Sequence, residues 1–212
     1  MNAVVAPSSP YLPARSDVWR GRQRLGAGIA TIATGHAGLD AALPGGGWPV
    51  GALIEVLAAP AGIGELRLFF PALARLAAEA RRVMVVSPPY PLHAPALAEA
   101  GIAPERVLVL DPASAEDALW SAEQCLGSGA LGATLCWLDR GDERSLRRLQ
   151  LAAERGAMLA IVFRPPEAAR EFSPAALRLR LSAEHDGGTR LEILKCRGAL
   201  GYQRTLRLAA VA

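Results

Sequence analysis

The chain has 212 residues, 51% hydrophobic and 20% charged, with a formal charge of +3 and a pI of about 9.0. That length and balance describe one sizeable globular domain, and the charge is too weak to imply nucleic-acid binding by itself. No apolar run reaches bilayer-spanning length and no secretory signal opens the chain; three cysteines without metal-ligand spacing read as free thiols in a reducing compartment, which implies a cytoplasmic protein with no membrane role.

Residues 1–30 read as a flexible N-terminal tail carrying Pro7, Ser8, Ser9, Pro10 and Pro13. Within it, Val18-Trp19-Arg20 places an aromatic in a polar setting, which serves either to pack on the chain's own domain or to bind a partner. Trp19 and Arg20 are therefore the candidate partner-binding residues. From residue 31 the pattern becomes compact. Residues 39–43 predict a short helix ended by Pro44, residues 45–49 a glycine turn, and residues 52–57 a buried strand.

Strands and helices then alternate. Helices are expected at 65–80, 94–100, 114–126 and 143–155, and strands at 82–86, 107–110, 134–138 and 158–163. Ser114 with Asp117 three residues on resembles a capping box with the shorter acid, and the acidic run 139–143 suits the start of a helix dipole. This β-α-β grammar implies a parallel sheet with helices on both faces. After Pro165-Pro166 the pattern changes to apolar–polar alternation at 177–183, 190–195 and 204–210, a C-terminal antiparallel extension. Its arginines, among them Arg178, Arg180, Arg190, Arg204 and Arg207, read as a solvated face rather than a nucleic-acid groove, so direct DNA contact stays open.

The segment Glu55-Val56-Leu57-Ala58-Ala59-Pro60-Ala61-Gly62-Ile63-Gly64-Glu65-Leu66 stands between strand and helix, where a P-loop stands. A working loop reads G-x-x-x-x-G-K-[ST]. Here those positions hold Ala59, Gly64, Glu65 and Leu66, so one of the four survives. A carboxylate in place of the lysine reverses a charge pair worth about 4 kcal/mol at about 4 Å, and leucine gives magnesium no oxygen. Taken alone, the segment reads equally as an ordinary glycine turn or as a degenerate P-loop.

The order of motifs resembles the RecA fold over roughly residues 35–165. The resemblance rests on Leu39-Asp40-Ala41-Ala42-Leu43, on Gly45 to Glu55 ahead of the loop, on Val107 to Pro112 and on Glu116 to Trp120. It implies an α/β, RecA-like parallel sheet flanked by helices over residues 31–212, with a degenerate P-loop. More narrowly, Ser87-Pro88-Pro89-Tyr90, Ala94 to Leu97, Ala118 to Gln124 and Arg147 to Glu154 are similar to the ImuA family, RecA-like accessory proteins of bacterial mutagenic repair. The SulA-type inhibitors of cell division share the same core and similar motifs.

The ImuA resemblance implies a non-catalytic accessory protein of damage-induced (SOS) translesion DNA synthesis. Its partners would be ImuB, an error-prone C-family DNA polymerase and RecA. The alternative is a SulA-type division inhibitor binding FtsZ. Relative to RecA proteins, Pro89 stands where the catalytic acid belongs and Trp137 where the magnesium-orienting aspartate belongs, with Asp139 two residues beyond. With Glu65, three catalytic positions have gone, so neither a catalytic residue nor a cofactor is expected. His36, His93 and His185 lie far apart without companion ligands, and Ser87 lacks a nucleophile elbow, so neither a metal site nor a serine hydrolase is expected.

Overall fold

A computed structural model describes residues 30–58, 64–185, 188–198 and 204–208. The expected tail with Trp19 and Arg20, the loop residue Ala59, and the turns at 186–187 and 199–203 lie outside the described residues.

The chain opens with β1 (Thr31–Ile32), α1 (Ala37–Ala42) and β2 (Trp48–Pro49), the two short strands pairing antiparallel. The alternating core follows: β3 (Ala52–Ala58), α2 (Phe70–Ala78), β4 (Val83–Val86), α3 (Ala94–Glu99), β5 (Val107–Leu110), α4 (Ala115–Gly127), β6 (Ala133–Trp137), α5 (Glu143–Gly156) and β7 (Leu159–Arg164). It ends in β8 (Leu177–Ala183), β9 (Thr189–Cys196) and β10 (Arg204–Leu208). The main sheet runs β10-β9-β8-β3-β7-β6-β4-β5, parallel from β8 to β5 and antiparallel across β8, β9 and β10.

The C-terminal extension is antiparallel across β8, β9 and β10 as expected, and one feature was not specified by the alternation: β8 also pairs parallel with β3, so the extension continues the main sheet. A second difference is the helix expected at 65–80. It begins as a 3-10 turn at Arg67–Phe69, and the α-helix proper starts at Phe70. Pro71 accounts for the position: it lacks an N–H and suits only the first turn of a helix.

Two apolar layers hold the sheet. On one face Leu39, Phe69, Leu73, Leu76, Leu97 and Ile102 pack on Ile54, Val56, Val85, Leu135 and Ile161. On the other, Ala118, Ala122, Leu126, Leu146 and Leu149 pack on Leu53, Met84, Cys136, Ala160 and Val162. This α/β/α sandwich follows from the crossovers: α2 and α3 carry the chain one way along the sheet, and α4 and α5 return it along the opposite face. The caps agree with the sequence. Ser114 Oγ accepts from Asp117 N at 3.1 Å and Asp142 Oδ1 from Ser145 N at 2.8 Å.

Candidate functional site

In an open parallel sheet, ligands gather at the carboxyl ends of the strands. There the chain has a cleft of about 370 Å³ lined by Ala58 of β3, Ser87 and Pro89 after β4, Trp137 at the end of β6 with Asp139 beyond it, and Glu65. A smaller neighbouring cavity of about 300 Å³ shares Glu65, Pro89 and Trp137 and extends under Tyr90 and Phe70. The folding thus gathers the residues singled out as altered catalytic positions, Glu65, Pro89 and Trp137, together with Asp139, around one space. Leu66 and Gly64 line only the smaller cavity.

The cleft floor is aromatic. Trp137 and Phe163 are register partners on β6 and β7, and their rings stack with centroids 4.3 Å apart. Phe163 meets Phe69 edge-on at 6.0 Å, and Phe69 meets Trp48 at 4.7 Å, so a line of rings runs from the cleft into the core beside α1. Trp137 therefore closes this side of the cleft with a ring rather than a carboxylate. Ser87 ends β4 with φ of 51°, a left-handed conformation that is uncommon outside glycine, and its N–H donates to Leu110 O at 2.8 Å.

Beneath the cleft lies a buried ion cluster that the sequence did not announce. Glu55, fully buried, accepts from Arg164 Nη1 at 2.9 Å and from Arg178 Nε at 2.5 Å. Arg164 Nη2 also donates to Gly141 O at 2.8 Å and to Glu171 Oε2 at 2.7 Å. Arg178 donates to Ala168 O at 2.8 Å and Glu171 O at 3.2 Å. The two guanidiniums thus tie the loops after β6 and β7 to the central strand, fixing the rim of the cleft.

This corrects the reading of Arg178 as part of a solvated face. Arg180, Arg190 and Arg207 do stand towards solvent, but they pair with Glu192 or Glu184 and, among the described residues, form no continuous cationic groove. A signal for the cluster was present: a carboxylate inside the apolar strand 52–58 is stable only with a paired charge.

Two of the histidines serve the backbone. His93 Nδ1 accepts from Ala96 N at 3.3 Å to cap α3, and His36 Nε2 stands 3.3 Å from Leu68 O. Among the described residues no group of three or more His, Cys, Asp or Glu is arranged to hold a metal. The three thiols are free; burial pushes Cys136 up to about 12, with Cys125 adding to the shift, and Cys196 up to about 11. No helix among the described residues is long and apolar enough to cross a membrane.

Comparisons with known proteins bear on this scaffold directly. Residues 57–160, from the end of β3 to the start of β7, match the family described as "Cell division inhibitor SulA". A cell division inhibitor SulA of Photorhabdus laumondii subsp. laumondii is 30% identical over 119 residues, covering 56% of this chain and 67% of that protein. The crystal structure of SulA from Pseudomonas aeruginosa aligns at 26% identity with a TM-score of 0.44, covering 53% of this chain and 97% of that one. The identity to the Photorhabdus protein and the share of it covered show that the chain belongs to the SulA family, the one that the sequence reading placed second.

Proposed function

We propose that this chain is a SulA-type inhibitor of cell division, a non-catalytic protein that binds FtsZ and stops its polymerisation during the response to DNA damage. The observation that carries this reading is the family match over 57–160, because that segment supplies Glu65, Ser87, Pro89, Trp137 and Asp139, the larger part of the cleft. Under this reading the scaffold is a RecA-like core whose P-loop is degenerate, held as a protein-binding shape in the cytoplasm. Glu65 and Trp137 argue against a triphosphate in the cleft, by charge and by bulk.

The test has two arms. Expression in a dividing bacterium is expected to give long, undivided cells, and purified protein to suppress FtsZ polymerisation in a light-scattering assay. Cells of normal length together with unaffected polymerisation would remove the proposal.

A second reading has its own observation. Elements outside 57–160 are built into the main core rather than appended to it. Leu39 and Trp48 are fully buried before the matched segment, and Leu179, Leu181, Leu191 and Ile193 after it. An extended core of this kind favours the ImuA-like role, in which the chain joins ImuB, an error-prone C-family polymerase and RecA in translesion synthesis. Co-purification of the folded chain with ImuB and RecA tests it, and association with neither would end it.

A further inference from the structure

On one side the main sheet ends in a strand that nothing guards. Among the described residues β5 (Val107–Leu110) pairs with β4 alone and forms an edge of the sheet. All four of its residues are apolar, and Val109 and Leu110 stand 49% and 38% exposed. The opposite edge is β10, which carries Arg204 and Arg207. Charged side chains of that kind keep an edge from pairing with other chains, and β5 has none.

The hydrogen bonds show which groups of β5 are unused. Leu110 O accepts from Ser87 N at 2.8 Å, so Leu110 turns its backbone towards β4. Residues of a parallel strand alternate in this respect. Leu108 therefore faces β4 as Leu110 does, and Val109 presents both its N–H and its C=O to the open side. Val107 O points the same way by the same alternation, while the Val107 N–H is taken by Pro104 O. A second extended strand satisfies such a row; a helix or a lipid surface offers no donors and acceptors at that spacing.

We propose that the open edge of β5 pairs antiparallel with β5 of a second copy of this chain, about a two-fold axis at Val109. In that register Val109 exchanges two N–H···O bonds with the partner's Val109, and each Asp111 N–H reaches Val107 O across the axis. Leu108 lies opposite the partner's Leu110, so the apolar side chains left bare in the single chain cover one another.

Direction and occupant follow from the strand itself. Asp111 is the one charged residue in the row 107–111. Antiparallel pairing sets it opposite valine, whereas parallel pairing in register would set two carboxylates side by side. Pairing of β5 with β10 of another copy would press apolar residues against Arg204 and Arg207 and leave further edges open, whereas the two-fold uses both β5 edges at once. A strand supplied by a different protein would leave β5 bare whenever that protein is absent. The row spans about 17 Å. That is short for a permanent interface, so the dimer should be reversible, half dissociated at about 10–100 µM. This inference does not depend on what binds at the cleft.

Sedimentation velocity of the full chain between roughly 1 and 200 µM is expected to show a monomer passing to a dimer and no larger species. Amide hydrogen exchange over the same range should slow at Val109 and Asp111 as the dimer forms, with Leu108 and Leu110 protected throughout by β4. Val109→Pro removes the outward N–H without touching the ladder to β4. It should weaken association about tenfold or more at an unchanged unfolding midpoint. Should proline disturb the strand, Val109→Lys places two ammonium groups at the axis and should have the same effect.

A monomer at every concentration would overturn the proposal, as would a dimer that neither variant weakens. Protection of the Val109 amide that does not change with concentration would overturn it too, because a segment of the same chain would then cover the edge. Growth beyond the dimer would replace the two-fold with head-to-tail pairing of β5 and β10.

Discussion

Glu55 and Arg178 stand directly opposite each other on β3 and β8, and their side chains meet at 2.5 Å in the interior of the sheet. Arg164 closes the cluster from β7 on the other side. A carboxylate without solvent is tolerable here only because two guanidiniums and several backbone carbonyls complete its surroundings. Removing one member leaves a buried charge unpaired. Arg178→Met and Glu55→Gln are each expected to cost about 3–5 kcal/mol, whereas replacing all three with apolar residues of similar volume should recover most of that loss. Urea unfolding with an unchanged slope measures it; a loss below about 1 kcal/mol for either single variant would show that the cluster is not a unit.

Gly156 ends α5 against the end of α4, where an ideal Cβ would come within 1.8 Å of Leu126 O. That close approach sets the spacing of the two helices. Gly156→Ala forces the helices apart and should destabilise by at least about 1–3 kcal/mol, the usual cost of overpacking. Gly38 in α1 is the control, because a Cβ there meets nothing within 4 Å. Gly38→Ala should be neutral or stabilising by up to about 1 kcal/mol through helix propensity. Thermal midpoints moving in the same direction for both variants would contradict this account.

How far these features could be read from the letters depends on the range of the interaction. Alternating strands and helices were legible because each is set by neighbours within a few residues, and so was the cap at Ser114. The Glu55 cluster was not, since its members lie 109 and 123 residues apart. Only the strand order β7-β3-β8 brings them together. The alternation of Leu177, Leu179 and Leu181 correctly implied a strand but carried no information on which strand lies beside it. Trp137 was singled out by the order of motifs alone. Its stack on Phe163 required the register of β6 against β7, which short patterns do not encode.

Burial of the thiols makes a pH-dependent prediction. Cys136 keeps its proton up to about 12 in the fold, against 9.0 for a free thiol. Above pH 9 the unfolded chain therefore holds fewer protons than the folded one, so stability falls as pH rises. This contribution is complete below pH 9 and is lost progressively towards pH 12. The difference in stability between the parent and Cys136→Ala should shrink across that window, at up to about 1.4 kcal/mol per pH unit. A difference that stays constant from pH 8 to 11 would show that the thiol ionises freely in the folded protein.

Glu65 is buried at the foot of α2, where the rim of the cleft receives whatever binds there. A triphosphate at that point meets a carboxylate in place of an ammonium, a reversal worth about 4 kcal/mol for each charge pair at about 4 Å. The parent chain is therefore expected to show no saturable binding of a fluorescent ATP analogue with magnesium. The double change Glu65→Lys and Leu66→Thr gives the segment two residues of the G-x-x-x-x-G-K-[ST] pattern that it lacks and should gain weak phosphate affinity. It should not gain turnover, because Pro89 supplies no base and Trp137, stacked on Phe163, offers no carboxylate to hold magnesium. Micromolar nucleotide affinity in the parent, lost on Glu65→Lys, would mean that the carboxylate is itself part of a working nucleotide site.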